Sequence, residues 1–557
     1  MASITILSEE SRQNAAPDPK KDERLLPKLI EKFAAEDPDF IIGMNAVLPE
    51  TPNAPLQYDE LTVSRLDNAI NYMAYWIEQS IQKLHLSSNE PIGYSGLQDL
   101  RYLVLEIAAI KIGRPILLPS PRNAVVNTIS LLRETGCRVV FYSGDLGVQE
   151  SELKNSIPEL TMLEVPLLSQ MTNSETPHYP YTKTWEQAKD DVVMIIHTSG
   201  STGVPKPICH NNSVIRRLDI ESEIPTIPGR VNASTSLCEP GKAVLCGTNL
   251  YHLSGICFTL MALFNRYTIV FGPADGLPSG EVMYEMIKSM KFAGLVMVPS
   301  LLDHLISKHG EEIEGFLGEL EHVNWLGGPL SPSTGSWIIH HLPTVTLWQI
   351  YGSTEMHMFP LLIPPKSHWS YLEFHPSFTP DLDLVDADEG LYEVVVRRPA
   401  TITTPVFDIF PHLDEWRSRD ILRRCTDPGF ENLYRYEGRT DDVLVLSNGL
   451  KVNPLHIEVV VQSCAFVAGC LVFGEGRTRC GILIEGREGE EELSESVWRV
   501  VEGANRGVPE HARIARELVV VGVESKRFVR SSKGAPIRRL TLELYGEEIE
   551  RVYEGLS

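Results

Sequence analysis

The chain has 557 residues, 43% hydrophobic and 22% charged, which excludes a wholesale disordered or membrane-embedded protein. Its 50 Lys and Arg face 74 Asp and Glu, a net charge of −24. That field repels phosphate backbones and anionic lipid and excludes a general nucleic-acid or membrane-surface binder, though not a local nucleotide pocket.

Residues 1–24 read as a flexible lead-in, polar and charged, with Pro17 and the pair Lys20-Lys21. The apolar run 4–7 is too short for the core of a secretory leader. No run approaches the ~20 apolar residues of a spanning helix, and residues 554–557 match no anchoring or peroxisomal signal. The 9 cysteines, odd in number and without CxxC spacing, disfavour a disulfide framework or a zinc ribbon and fit reduced, buried thiols. The expected compartment is the cytoplasm.

Periodic sequence follows. Residues 61–84 space Leu66, Ile70, Met73, Ile77 and Ile81 by three and four, which predicts an amphipathic helix. A second helical run, 97–112, leads into a buried strand at 115–119, then a helix at 126–136 and a strand at 138–142. Alternation of this kind predicts a parallel sheet covered on both faces. It continues through apolar runs at 192–196, 243–245, 268–271, 294–298 and 323–326. After Asp388 the strands at 391–396 and 433–436 are short and turns are frequent. A small unit starts near Gly438, with strands at 443–446, 467–473, 480–484 and 518–523. The expected division is 1–24, a large domain at 25–437 and a small one at 438–557.

The run at 192–196 leads directly into His197-Thr198-Ser199-Gly200-Ser201-Thr202-Gly203-Val204-Pro205-Lys206-Pro207. Two glycines free the backbone, Thr198, Ser199, Ser201 and Thr202 supply hydroxyls, and Lys206 adds a point charge. Such a loop can wrap triphosphate oxygens; the bland alternative is a Ser/Gly-rich surface turn. It is not the GxxxxGK[ST] loop, because Lys206 stands three positions after Gly203.

Residues 198–206 resemble the TSGSTGxPK signature of the adenylate-forming superfamily, which includes acyl-CoA synthetases, luciferases and adenylation domains of nonribosomal peptide synthetases. Further motifs follow in that superfamily's order: LQYDEL at 56–61, the element at 108–119, His252-Leu253 with Gly255, LGGPL at 326–330, YGSTE at 351–355, WRSRDI at 416–421, YEGRTDD at 436–442 and SNGLKVNP at 447–454. The resemblance implies an α/β fold: a large N-terminal adenylate-forming domain of helix-covered parallel sheets plus a small β-rich subdomain, and a small mobile C-terminal α+β lid.

It also implies ATP and Mg²⁺ as cofactors. A substrate carboxylate attacks the α-phosphate, pyrophosphate leaves and an acyl-adenylate remains, so the protein's task is charge neutralisation and positioning. On this resemblance Thr198, Ser199, Gly200, Ser201, Thr202, Gly203 and Lys206 cradle phosphates. Glu355 holds the metal and Thr354 contacts the α-phosphate beside Gly352 and Ser353. Gly327, Gly328, Gln349 and Tyr351 border the adenine, with Gln349 standing where the family usually has Asn. Asp420 takes the ribose hydroxyls with Arg439 nearby, and Asp441 is the hinge.

Most of the family ends in a motif like GKxxR, whose lysine bridges carboxylate and α-phosphate. Here that position holds Ala535, between Gly534 and Arg538, and Lys533 lies two residues earlier. The displaced lysine resembles the adenylation domains of fungal synthetase-like carboxylate reductases, and Lys533 is taken as catalytic.

Adenylation domains for α-amino acids carry an aspartate at the His252 position to pair the ammonium. Tyr251-His252 has none, and burying an unpaired ammonium is costly. An acid without an α-amino group is therefore expected, aryl or otherwise flat and apolar. Its pocket is drawn from His252 (also a catalytic candidate), Leu253, Met297, Val298, Trp325 and Gly327, with Met297 and Val298 reading equally well as core strand. The resemblance further implies a phosphopantetheine thiol as acyl acceptor, on a carrier protein or as free coenzyme A, and the reductase-like C-terminus favours the carrier protein. No carrier motif or GxGxxG fingerprint is present, so the chain reads as an excised domain or as an enzyme acting in trans. The rivals are a stand-alone acyl-CoA or aryl-CoA ligase and, in another class, a catalytically inactive nucleotide-binding regulator.

Overall fold

The computed structural model describes residues 23–49, 54–87, 89–144, 148–199, 205–220, 224–236, 240–275, 279–317, 320–398, 404–487, 493–523, 525–531 and 534–554. The expected lead-in thus lies outside the described residues except for its last two positions.

Two largely parallel sheets carry the first part of the chain. A six-stranded sheet runs in the order Thr161–Glu164, Val139–Tyr142, Ile92–Ser95, Ile116–Leu117, Val192–Ser199 and Pro205–Asn211. Its pairs are parallel until the last, which is an antiparallel hairpin. A seven-stranded sheet runs Thr346–Ile350, His322–Leu326, Gly294–Met297, Ala243–Cys246, Thr268–Phe271, Ile41–Val47 and Gln57–Thr62, antiparallel only between its last two strands. Central strands such as Gly294–Met297 and His322–Leu326 are buried on both faces, as parallel sheets require.

The helix Val63–Ile81 buries Leu66, Ile70, Met73, Ile77 and Ile81, the stripe the spacing predicts, and Thr62 Oγ1 caps it by accepting from the Arg65 N–H at 3.3 Å. The next helix, Arg101–Lys111, starts later than its apolar run suggests. Asp99 Oδ1 accepts from the Arg101 N–H at 3.0 Å, and the Gln98 N–H reaches Ala274 O at 2.8 Å, so both residues are held in a turn.

A six-stranded antiparallel sheet follows, in the order Leu361–Leu362, Leu372–Phe374, Leu433–Arg439, Glu415–Arg424, Leu391–Arg397 and Asp381–Asp386. The strand Leu433–Arg439 runs past position 437, with Gly438 (φ 115°) inside it. Beyond it a three-stranded sheet, Val467–Phe473, Gly481–Gly486 and Val519–Val521, packs with the helices Leu455–Gln462, Leu493–Asn505, Arg538–Leu544 and Gly546–Glu554. The strand expected at 443–446 is reduced to Leu444–Val445, paired with Lys451–Val452. Among the described residues no helix is long and apolar enough to cross a membrane.

Candidate nucleotide-binding active site

The hairpin of Val192–Ser199 with Pro205–Asn211 sets Thr198 opposite Lys206, whose side chain is exposed. Gly200, Ser201, Thr202 and Gly203 lie outside the described residues, and only the backbone of Ser199 is described. The returning strand carries His210, fully buried, with its ring stacked on His357 at 5.2 Å. Burial lowers the His210 imidazole to about 4, with the backbone of Thr354 and of Ile208 partly opposing. His357 is likewise held neutral, first by burial and then by His210 and Arg217. Two uncharged rings therefore press the hairpin against the segment that carries Thr354 and Glu355.

That segment is a tight turn in which Gly352–Ser353 pairs with His357–Met358. The Met356 N–H donates to Ser353 Oγ at 3.2 Å, and His357 takes a left-handed φ of 56°. A Cβ on Gly352 would overlap the carbonyl oxygen of His357. Gly352→Ala is thus expected to cost about 1–3 kcal/mol of stability, read as a lower melting temperature; an unchanged melt would contradict this packing.

Tyr351 extends the segment and donates from its hydroxyl to Asp420 Oδ2 at 2.8 Å. Ser418 Oγ accepts from the Asp420 N–H at 2.9 Å, and Arg439 Nη1 stands 3.8 Å from Asp420 Oδ1. Burial pushes the Asp420 carboxyl up to about 6; Tyr351 and Arg439 oppose this, while Asp441 and Glu355 add to it. Glu355 and Asp420 are thus near enough for one carboxylate to raise the other. No ion pair to Glu355 exists among the described residues, so this partly exposed carboxylate is disposed to take a hard cation.

Asp441 accepts from Arg439 Nε at 2.9 Å and stands 3.4 Å from Arg419 Nη1. Arg419 sits in the left-handed region at φ 65°, beside an irregularity in the strand pairing. Burial would raise the Asp441 carboxyl, but Arg439 and Arg419 hold it below the usual value.

His252 occupies the buried N-cap position of the helix Leu253–Asn265, its ring 4.6 Å from that of Tyr251 and 6.4 Å from that of His197. A Cβ on Gly255 would strike the Asn249 carbonyl, which accounts for a glycine there. Gly327, at φ 87°, and Gly328 follow the strand His322–Leu326, and open space lies where a Cβ would stand on either.

The pocket candidates divide between the faces of the seven-stranded sheet. Met297 and Trp325 are fully buried with Leu301, Leu302 and Leu330, and Gln349 is the register partner of Trp325. Val298 is the N-cap of the helix Pro299–Ile313. On the opposite face Val296 and Ile350 pack in the cluster that holds Tyr251 and Tyr351, with half-buried Leu253 and Leu326 against it. Strand alternation puts Asn324, fully buried, on that face too, with His322 Nδ1 2.7 Å from its Oδ1. Its amide nitrogen has no partner among the described residues. Asn324, His210 and His357 were not among the residues singled out from the sequence; a lone polar residue inside an apolar run was the available signal for Asn324. Lys533 lies outside the described residues.

Glycine-dependent turns and Glu355 beyond the C-terminal ends of parallel strands, with Asp420 joined to Tyr351 from the antiparallel sheet, are the arrangement of a nucleotide-binding α/β enzyme. The chain belongs to the AMP-binding enzyme family: residues 44–400 match the AMP-binding enzyme domain and 441–557 the AMP-binding enzyme C-terminal domain. Similar curated proteins include the isocyanide synthase–NRPS hybrid crmA of Aspergillus fumigatus, 29% identical over 99% of this chain and 35% of that one. A carboxylic acid reductase of Neurospora crassa is 27% identical over 96% of this chain and 51% of its own length. The chain therefore spans a third to a half of these relatives. Among solved structures, the adenylation domain of a carboxylate reductase from Mycobacterium chelonae has a TM-score of 0.72 at 16% identity, covering 97% of this chain and 94% of that one. That of the Segniliparus rugosus carboxylic acid reductase, in complex with AMP and a co-purified carboxylic acid, also scores 0.72, at 15% identity over 99% and 98%. The fold is that of the adenylate-forming superfamily.

Proposed function

We propose that the protein activates a carboxylic acid without an α-amino group as its acyl-adenylate. One observation supports the reading: His210 of the strand Pro205–Asn211, stacked on His357, and Asp420, hydrogen-bonded to Tyr351, both converge on the 351–358 segment that carries Glu355. A carboxylate oxygen of the acid attacks the α-phosphorus of ATP, the bond from that phosphorus to the bridging oxygen breaks, and pyrophosphate leaves with the electron pair. Two anions meet in this step, so Lys206, Thr354 and Lys533 act by neutralising and orienting charge. Glu355 would hold Mg²⁺, which when bound offsets phosphate charge.

Asp420 would accept hydrogen bonds from the ribose hydroxyls, a role for its ionised form. With its carboxyl at about 6, KM for ATP is expected to rise as pH falls through that value. In Asp420→Asn it should be raised about tenfold or more at every pH and lose this dependence. A parental pH profile in that variant would contradict the role.

The acid pocket is assigned to His252, Leu253, Val296, Asn324, Leu326 and Ile350, while Met297 and Trp325 support it from the opposite face as core residues. The Asn324 amide would donate to a polar group of the acid. Asn324→Leu is accordingly expected to raise KM for the acid about tenfold with KM for ATP unchanged; equal shifts in both would refute the assignment.

Residues 25–437 are assigned the adenylation half and 438–557 the lid, turning at Asp441. Closure of such a lid protects a hydrolysable mixed anhydride from water. The acyl acceptor is read as a carrier-protein phosphopantetheine, supported by the carboxylic acid reductase among its relatives. The test supplies aryl acid and MgATP, then either a phosphopantetheinylated carrier or coenzyme A, and follows thioester formation by mass. Loading of the carrier supports the reading, loading of coenzyme A alone makes the chain a ligase, and a preference for amino acids overturns the role given to His252.

A further inference from the structure

A second group of metal-ligating side chains lies apart from the nucleotide cleft, at the end of the antiparallel sheet. His368 closes the short turn Lys366–His368 before the strand Leu372–Phe374. Cys425 and Asp427 open the loop that joins Glu415–Arg424 to Leu433–Arg439. One nitrogen of His368, the sulfur of Cys425 and a carboxylate oxygen of Asp427 all lie within 4.8 Å of one another. We propose that these three side chains bind a divalent cation of borderline softness, with Zn²⁺ as the type.

The chemistry of the donors argues for this class. A thiolate with an imidazole selects zinc-like ions over Mg²⁺ or Ca²⁺, which prefer oxygen alone. His368 Nε2 stands 3.0 Å from Asp427 Oδ2, near the ~3.3 Å between neighbouring ligands around a tetrahedral ion with bonds of about 2.0–2.1 Å. On binding, the Cys425 thiol gives its proton to solvent, and thiolate plus carboxylate then balance the two positive charges around a neutral imidazole. Water completes the fourth position.

The surroundings fix the ligands as an outer shell does. His368 Nδ1 is engaged by Ser367 Oγ at 2.9 Å, which leaves Nε2 for the ion, and the ring lies stacked on Phe430 at 4.1 Å. Cys425 is buried, and its N–H donates to Leu433 O at 2.9 Å. Asp427 is largely exposed, at 65% of its side chain, and gives the ion a route in. A bound cation would pin the 425–433 loop to the 366–368 turn and so brace the sheet that presents Asp420.

The test titrates the whole chain, free of nucleotide, with Co²⁺ as a spectroscopic stand-in. One Co²⁺ per chain is expected, with a thiolate-to-cobalt charge-transfer absorption that Zn²⁺ displaces and that Cys425→Ser abolishes. Absence of that absorption, or its persistence in Cys425→Ser, overturns the proposal. Should Cys425→Ser not fold, His368→Asn and Asp427→Asn serve instead, each expected to weaken Co²⁺ binding about tenfold or more. Parental affinity in both would mean that His368 and Asp427 form a hydrogen-bonded pair and nothing more.

Discussion

Glu355→Gln is expected to lower acid-dependent exchange of labelled pyrophosphate into ATP by about 10²–10³-fold, the usual effect of removing one charge-stabilising group from a preorganised site. The substitution keeps the shape, removes the charge and turns one acceptor oxygen into an N–H donor that cannot ligate a cation. Glu355 is the carboxylate available for this role: Asp420 is engaged by Tyr351 and pushed up to about 6 by burial, whereas Glu355 has no ion pair among the described residues. Loss of a cation ligand also predicts that raising Mg²⁺ recovers part of the rate. A variant that exchanges at the parental rate would remove Glu355 from the site.

Lys533→Ala is expected to slow the same exchange by about 10²–10³-fold while KM for ATP changes little. Uniform binding is retained and a contact made at the reacting centre is lost, so the effect falls on kcat. Neighbours on either side are firmly anchored. Arg538 donates to both carboxylate oxygens of Glu458 at 2.8 Å and to Val472 O at 2.7 Å, and the Arg530 guanidinium donates to Gly534 O at 2.8 Å. Gly534 takes φ 83°, which only glycine adopts without cost. An unchanged rate in Lys533→Ala would assign the role elsewhere.

What the sequence made legible has a local physical cause. The stripe from Leu66 to Ile81 has helical spacing, and Gly255, Gly327 and Gly352 stand where a Cβ or a negative φ is not tolerated. Such positions carry a signature in the chain itself. Sidedness was hidden, because strands buried on both faces read as continuous apolar runs. Nothing in 294–298 or 323–326 says that Met297 and Trp325 face one core while Val296 and Asn324 face the other. The strand Glu415–Arg424 is hard to read from sequence because its exposed Glu415, Arg417 and Arg419 dominate the composition, although its buried Ser418 and Asp420 alternate with them. The return strand Pro205–Asn211 was masked by its two prolines, tolerable because it lies at the sheet's edge. Groups assembled only by tertiary contact, such as His210 on His357 or His368 beside Cys425, leave no pattern along the chain.

The most direct test is pyrophosphate–ATP exchange by the parental protein across aryl, α-keto, fatty and amino acids, with ATP binding measured in parallel. Exchange that appears only when an acid lacking an α-amino group is supplied, and that requires Mg²⁺, is the predicted result. Binding of ATP with no exchange for any acid would contradict it and leave a nucleotide-binding regulator in its place.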